Sequence, residues 1–147
     1  MKDFTRVLQE YCVANDISYH YGRRANLNLL QSDLLADKVY LLHEASPRRA
    51  NYNSTGTSIE KFTFIGKFFL MVKSTVDMPY FNEKQDDDSI SKYTLNIEPL
   101  LDLFESMGND FGCSDFEISQ WETIDAINVF DANKDGIIVT YTAVGYV

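Results

Sequence analysis

The residues most suggestive of chemistry lie near the carboxyl-terminal end, where Asp131, Asn133 and Asp135 alternate ahead of Gly136. This spacing matches the opening of an EF-hand calcium loop, in which oxygen ligands alternate and a glycine makes the sharp turn. Such a loop also needs a bidentate glutamate at its twelfth position, which here is Thr142. Because the flanking residues are β-branched, the sequence favours a metal-free hairpin turn. A calcium- or small-ligand-binding module using residues 131–136 is the alternative.

The other titratable residues form no arrangement typical of a metal centre or a catalytic site. Asp86, Asp87 and Asp88 are consecutive; three neighbours cannot easily be directed at one ion, so a solvated loop is expected. His20 and His43 lie near no cysteine and in no ligand spacing. The sequence contains no phosphate-binding glycine loop and no nucleophile elbow. We therefore predict no catalytic residue, no metal, no cofactor and no enzymatic activity.

The composition is that of an ordinary globular protein, with 45% hydrophobic and 24% charged residues. The length suits one domain over residues 1–147. Cys12 and Cys113 are far apart and fit no ligand spacing. No apolar signal segment and no run of about 18 apolar residues occurs, so we expect the protein in a cytoplasm or in a particle assembled there.

The charge is acidic and unevenly distributed. The net charge is −9, and an acidic chain is repelled by phosphate, so specific nucleic-acid binding is not expected. Residues 1–73 hold ten basic against seven acidic residues, whereas residues 74–147 hold three against fifteen. This asymmetry either serves solubility or lets the basic part of one copy face the acidic part of the next.

Hydrophobic periodicity predicts an α+β fold with the element order α-β-β-β-α-β-β. Consecutive antiparallel strands with two helices on one face would form a two-layer sandwich. Asp3 and Asn96 are the expected N-caps of the helices, and Gly108 the expected end of the second. The predicted elements are a helix from Phe4 to about Asn15, strands at 17–22, 38–45 and 58–76, a helix at 97–107, and a hairpin of strands 114–131 and 137–147 with a bulge near 126–127 and a turn at 133–136.

The run from Ser58 to Val76 is the most informative segment. Its even positions from 62 onward are almost all apolar, which predicts a core-facing side. At about 3.3 Å per residue it would span roughly 60 Å, against a radius of gyration of about 15 Å for a domain of this size. We therefore expect a bend at Gly66 or a long projecting hairpin, paired antiparallel with residues 38–52.

Five residues are the predicted subunit or partner interface. The odd positions of the same run include Ile65, Phe69 and Met71, which a monomer would leave in water. Arg48 and Arg49 adjoin in a polar loop predicted over residues 46–57. This pair is expected to be solvated, to dock an acidic neighbour, or to contact phosphate.

The chain resembles the tail-terminator and tail-completion proteins of tailed bacteriophages and the related head–tail connector ring proteins. The resemblance is carried by the layout of four segments. These are FTRVLQEYCVA, KFTFIGKFFLMVKSTVD, NIEPLLDLFESMG and WETIDAINVFDANKDGIIVTYTA. Within the last, the turn from Phe130 to Gly136 between two apolar strands is the piece most similar to the family.

The resemblance implies a non-enzymatic structural protein of the virion tail or neck, assembled in the host bacterial cytoplasm. It implies a homo-oligomeric ring, a hexamer or dodecamer, at the end of the tail tube or at the portal–tail junction. Other tail, neck or portal proteins would be its neighbours. DNA would pass through the channel without specific binding, and neither a cofactor nor a membrane would be involved.

Overall fold

The computed structural model describes residues 2–23, 37–74, 79–81, 91–127 and 134–147. Within these ranges the fold is α+β, with a six-stranded sheet and two α-helices. A π-helical turn, Tyr93–Ile97, leads directly into the second helix. The elements are α1 (Phe4–Ala14), β1 (Ser18–Gly22), β2 (Tyr40–Glu44), β3 (Arg48–Tyr52), β4 (Ile59–Lys73), α2 (Glu98–Gly112), β5 (Phe116–Ile127) and β6 (Lys134–Tyr146).

The sheet has the strand order β1-β2-β4-β6-β5, and β3 pairs with β4 beside β2. Every pairing is antiparallel except that of β1 with β2. The predicted pairing of 58–76 with 38–52 is confirmed, since β4 pairs with both β2 and β3. The predicted class and the mainly antiparallel sheet are therefore correct.

Strand β3 was not predicted, because residues 46–57 were expected to be a polar loop throughout. Its residues pair with positions 59–64 of β4. The connecting turn is held by Asn53, whose side chain bonds Thr57 and Ser58. Cross-strand pairing thus outweighs the low strand preference of a polar segment.

The first helix begins as predicted. The carboxylate of Asp3 accepts a hydrogen bond from the Thr5 backbone N–H at 3.0 Å, the geometry of an N-cap. Phe4, Leu8 and Cys12 form its buried stripe. The helix therefore presents one apolar face to the sheet.

The second helix differs from prediction at both ends. Asn96 lies in the π-helical turn and donates its amide to Asp135, so it does not cap the helix. The helix also continues past Gly108 to Gly112. A Cβ at Gly108 would lie 2.6 Å from Nε1 of Trp121, so this glycine makes room for the indole and does not end the helix.

The main core lies between the two helices and one face of the sheet. Phe64, Phe68 and Leu70 on β4 are buried against residues of α1 and α2, so the predicted core-facing side is confirmed. The ring of Phe4 on α1 lies 4.9 Å from that of Tyr141 and 5.4 Å from that of Phe111, between centroids. Aromatic packing therefore joins α1, α2 and β6.

The length of β4 is accommodated inside the sheet. Thirteen of its fifteen residues pair with β6, from Lys61 to Lys73, so the run is a central strand and not half of an isolated projecting hairpin. On its other edge, β4 pairs with β3 before Gly66 and with β2 after it. A Cβ there would lie 2.6 Å from Oγ of Ser46 and 2.7 Å from the Tyr141 hydroxyl.

The closing hairpin also departs from prediction in its details. The register shift of β5 lies between Ile118 and Gln120 and not near residues 126–127. Lys134, Asp135 and Gly136, expected in the turn, belong to β6. A Cβ at Gly136 would lie 2.1 Å from the carbonyl oxygen of Leu70. That glycine therefore permits close strand approach, whereas residues 131–133 lie outside the described residues.

Among the described residues, no helix is both long enough and apolar enough to span a bilayer.

We predict that Phe68→Ala lowers the free energy of unfolding by about 3–5 kcal/mol, because it leaves a cavity in the core. Phe68 is fully buried. As a control, Lys67→Ala should cost less than about 1 kcal/mol, since its ion pair with Glu44 is partly exposed. Urea denaturation measures both. Equal costs for the two variants would contradict the assignment of the faces.

Candidate assembly surface

The two adjacent arginines lie on opposite faces of β3. Arg48 pairs with Phe64 and therefore lies on the helix side. Its guanidinium is 3.1 Å from the Asp3 carboxylate and donates to the Thr5 hydroxyl at 3.2 Å. Arg48 thus ties β3 to the start of α1, so it is not a free docking arm. Arg49 lies on the other face and is exposed.

The three apolar residues predicted at the interface share the outer face of β4, the face opposite the helices. Ile65 is 38% exposed, but Phe69 is 1% exposed and Met71 is fully buried. Phe69 and Met71 pack with Leu42 and Ile138 in a second apolar cluster. The expectation that a monomer leaves them in water is wrong, because the single folded chain already encloses both side chains.

Arg49 and Ile65 are therefore the members of the predicted interface that are exposed on the outer face, whereas the exposed Arg48 lies on the helix side. Arg49 pairs with Thr63, two residues from Ile65, so both side chains lie on the outer face. A groove of about 280 Å³ adjoins Ile65 where the chain passes from β2 to β3. Its other lining residues are Glu44, Ala45, Ser46, Pro47, Gly66, Lys67 and Thr140.

A buried polar cluster lies behind this surface, on the helix side. The fully buried His43 has its Nδ1 2.7 Å from the Tyr19 hydroxyl and its Nε2 2.7 Å from the Tyr141 hydroxyl. Burial, helped by the nearby Arg48, lowers the pKa of His43 to about 4. The imidazole is thus neutral near pH 7, with one ring nitrogen donating and the other accepting. Burial likewise raises the pKa of Tyr141 to about 12. These hydrogen bonds join β1, β2 and β6.

A second buried cluster surrounds Asp135, which is fully buried. The Ser74 hydroxyl donates to Oδ2 of Asp135 at 2.8 Å, and the Asn96 amide donates to the same oxygen at 3.1 Å. Nζ of Lys92 lies 3.9 Å from that oxygen and donates to Ser74 at 2.9 Å. The carboxylate that the EF-hand spacing proposed as a calcium ligand is therefore bound by donors of the protein itself.

Sequence reasoning did not find either cluster. For His43 a signal was available, because alternation along residues 38–45 places it on the same face as the apolar Leu41. For Asp135, the match to the EF-hand spacing favoured a position in a ligand loop or turn over a position in the core. Asp131 and Asn133, the other acidic and amide positions of that motif, lie outside the described residues. Within the described ranges, no group of three or more histidine, cysteine or acidic residues could hold a metal.

No family model, no curated protein and no solved structure matches the chain.

We predict that acid destabilises the fold partly through His43. The folded-state pKa of about 4 lies below the usual value of about 6.5. Between these values the unfolded chain binds a proton that the folded chain does not, so stability falls as the pH is lowered from about 6.5 to about 4. The loss from His43 is on the order of 3 kcal/mol. Urea titrations of wild type and His43→Gln should show a shallower acid-side slope in the variant.

The matched control for this experiment is His20→Gln. His20 is less buried, and its pKa is also lowered, chiefly by burial. Its substitution should therefore flatten the acid-side slope less than His43→Gln does. An unchanged slope in His43→Gln would contradict the assignment.

Millimolar calcium should leave the melting temperature unchanged, because the Asp135 carboxylate is bound within the protein. A site of micromolar affinity would stabilise the fold by about 4 kcal/mol at a thousandfold excess over Kd. Thermal scans in calcium and in chelator, with magnesium as the control, decide between these results. A calcium-specific rise of several degrees would support the ligand-binding alternative.

Proposed function

We propose that the chain is a non-enzymatic structural protein of a tailed bacteriophage. It forms a ring of identical subunits around the DNA channel, at the end of the tail tube or at the head–tail junction. Other tail, neck or portal proteins adjoin the ring. Its localisation is therefore the virion, after assembly in the bacterial cytoplasm.

The observation that carries this proposal is the exposure of apolar side chains on the outer face of the sheet, the face away from the described helices. The described helices α1 and α2 both pack on the face that holds Phe64 and Phe68. This packing supports a two-layer sandwich. On the outer face Phe69 and Met71 are buried, so a neighbour would contact residues outside that cluster. Ile65 and Ile124 are 38% and 66% exposed there. Exposed apolar groups are typical of contact surfaces.

The charge distribution supports the same function. Residues 74–147 hold three basic against fifteen acidic residues, and residues 1–73 are net basic. Contacts between unlike patches of identical subunits are heterologous, and they close into rings when the rotation allows. An acidic surface also repels phosphate, so DNA could pass the ring without being retained.

Neither of the two buried polar clusters among the described residues favours a catalytic or ligand-binding function. The His43 cluster is enclosed between strands and the Asp135 cluster is bonded internally. The calcium-binding alternative depends on residues 131–136, of which Asp135 is already bound by Ser74 and Asn96. An assembly protein needs neither cluster to react, only to hold its strands in place.

We predict that the purified chain forms a species several times its 16.9 kDa mass at high concentration, and a ring in electron micrographs. Ile65→Asp should weaken assembly because it places a charge in an apolar contact. It should barely change the melting temperature, since Ile65 is partly exposed in the monomer. Val13→Asp is the matched control, because Val13 is 75% exposed on α1. Light scattering after size exclusion measures all three proteins. A wild type that stays monomeric would overturn the proposed function.

A further inference from the structure

Among the residues that the structure describes, three strands of the sheet, β1, β3 and β5, have a partner on one side only. The twelve-residue β5 ends the order β1-β2-β4-β6-β5 and pairs with β6 alone. The five-residue β3 pairs with β4 alone. Such edges present backbone N–H and C=O groups to which another strand can be added.

Of these three edges, β5 and β3 carry opposite charge. β5 contains Glu117, Glu122 and Asp125 and no basic residue. β3 contains no acidic residue and carries the exposed Arg49 beside Arg48, which is paired with Asp3. Glu117 and Glu122 pair with Val144 and Thr140 of β6, which places both on the outer face. Arg49 lies on the outer face as well. On that face the two edges therefore carry charges of opposite sign.

A groove of about 500 Å³ lies beside β5, between that strand and α2. Its apolar walls are Leu101, Phe104, Ile118 and Trp121. The Trp121 indole donates to the Phe104 carbonyl at 3.0 Å, which holds the wall of the groove in place. A strand added to β5 would place its helix-side residues over this groove. Strand addition beside side-chain pockets is an established way to obtain both affinity and register.

We propose that β3 of one copy adds to β5 of the next, so that the sheet continues from subunit to subunit. This inference rests on the proposed ring and names its contact. The occupant is a second copy because the chain itself carries a short basic edge strand complementary to β5. Exposed apolar residues flank both edges, Tyr52 at 59% and Ile124 at 66% exposure. Because the two surfaces differ, each subunit uses both, and the contact repeats around a closed ring.

A charge exchange tests this contact in the full-length chain. Arg49→Glu and Glu122→Arg should each weaken assembly about tenfold, because each places like charges on facing edges. The double variant Arg49→Glu/Glu122→Arg should recover most of the loss. Glu10→Arg, the same charge reversal on an exposed position of α1, should assemble like wild type. Sedimentation velocity measures the assembled fraction, and thermal melting confirms that each variant is folded.

The outcomes separate this inference from the proposed function. Single-variant losses with recovery in the double variant support pairing of β3 with β5. A wild-type ring that both single variants also form would overturn the edge contact and leave the proposed ring standing. Losses without recovery would likewise overturn it, since the two residues would then act independently. A wild type that stays monomeric would overturn the proposed function, and this inference with it.

Discussion

The pairing of β4 on both of its edges is the constraint on which the rest of the structure depends. One edge is bonded to β6 along thirteen residues, and the other to β3 and then β2. This arrangement makes an otherwise over-long strand the centre of the sheet. It also places Phe64 and Phe68 against both helices and Phe69 on the opposite face. Gly66 permits the exchange of partners by leaving room for Ser46 and Tyr141.

Two buried polar clusters, both on the helix side of the sheet, link this central strand's neighbours by hydrogen bonds. His43 bonds residues of β1 and β6 across the strand, and Asp135 bonds Ser74, which follows β4, to Asn96 ahead of α2. Unpaired, each of these groups would destabilise the fold, because buried polar groups without partners are costly. Their hydrogen bonds specify which strands meet and in which register.

Alternation and capping chemistry predicted the features that depend on neighbours in sequence. They identified the core-facing side of β4, the Asp3 cap and the α+β class. They did not predict β3, the burial of Phe69 and Met71, or the extent of α2, since each depends on a distant partner. Periodicity shows which residues share a face. Whether that face is covered depends on segments that are distant in the sequence. For the same reason, Asp135 matched a ligand motif yet lies inside the protein.

The burial of Phe69 and Met71 changes where a neighbour can make contact. An apolar stripe along the middle of the outer face would have favoured stacking of one sheet on another. With that stripe closed, the exposed groups lie nearer the margins, at Arg49, Glu122 and Ile124. Charge and exposed backbone therefore coincide at the sheet edges, where hydrogen bonds fix register in a way that an apolar face does not. Such a contact suits an assembly that must repeat one geometry around a closed circle, because a small error in each interface would accumulate and prevent closure.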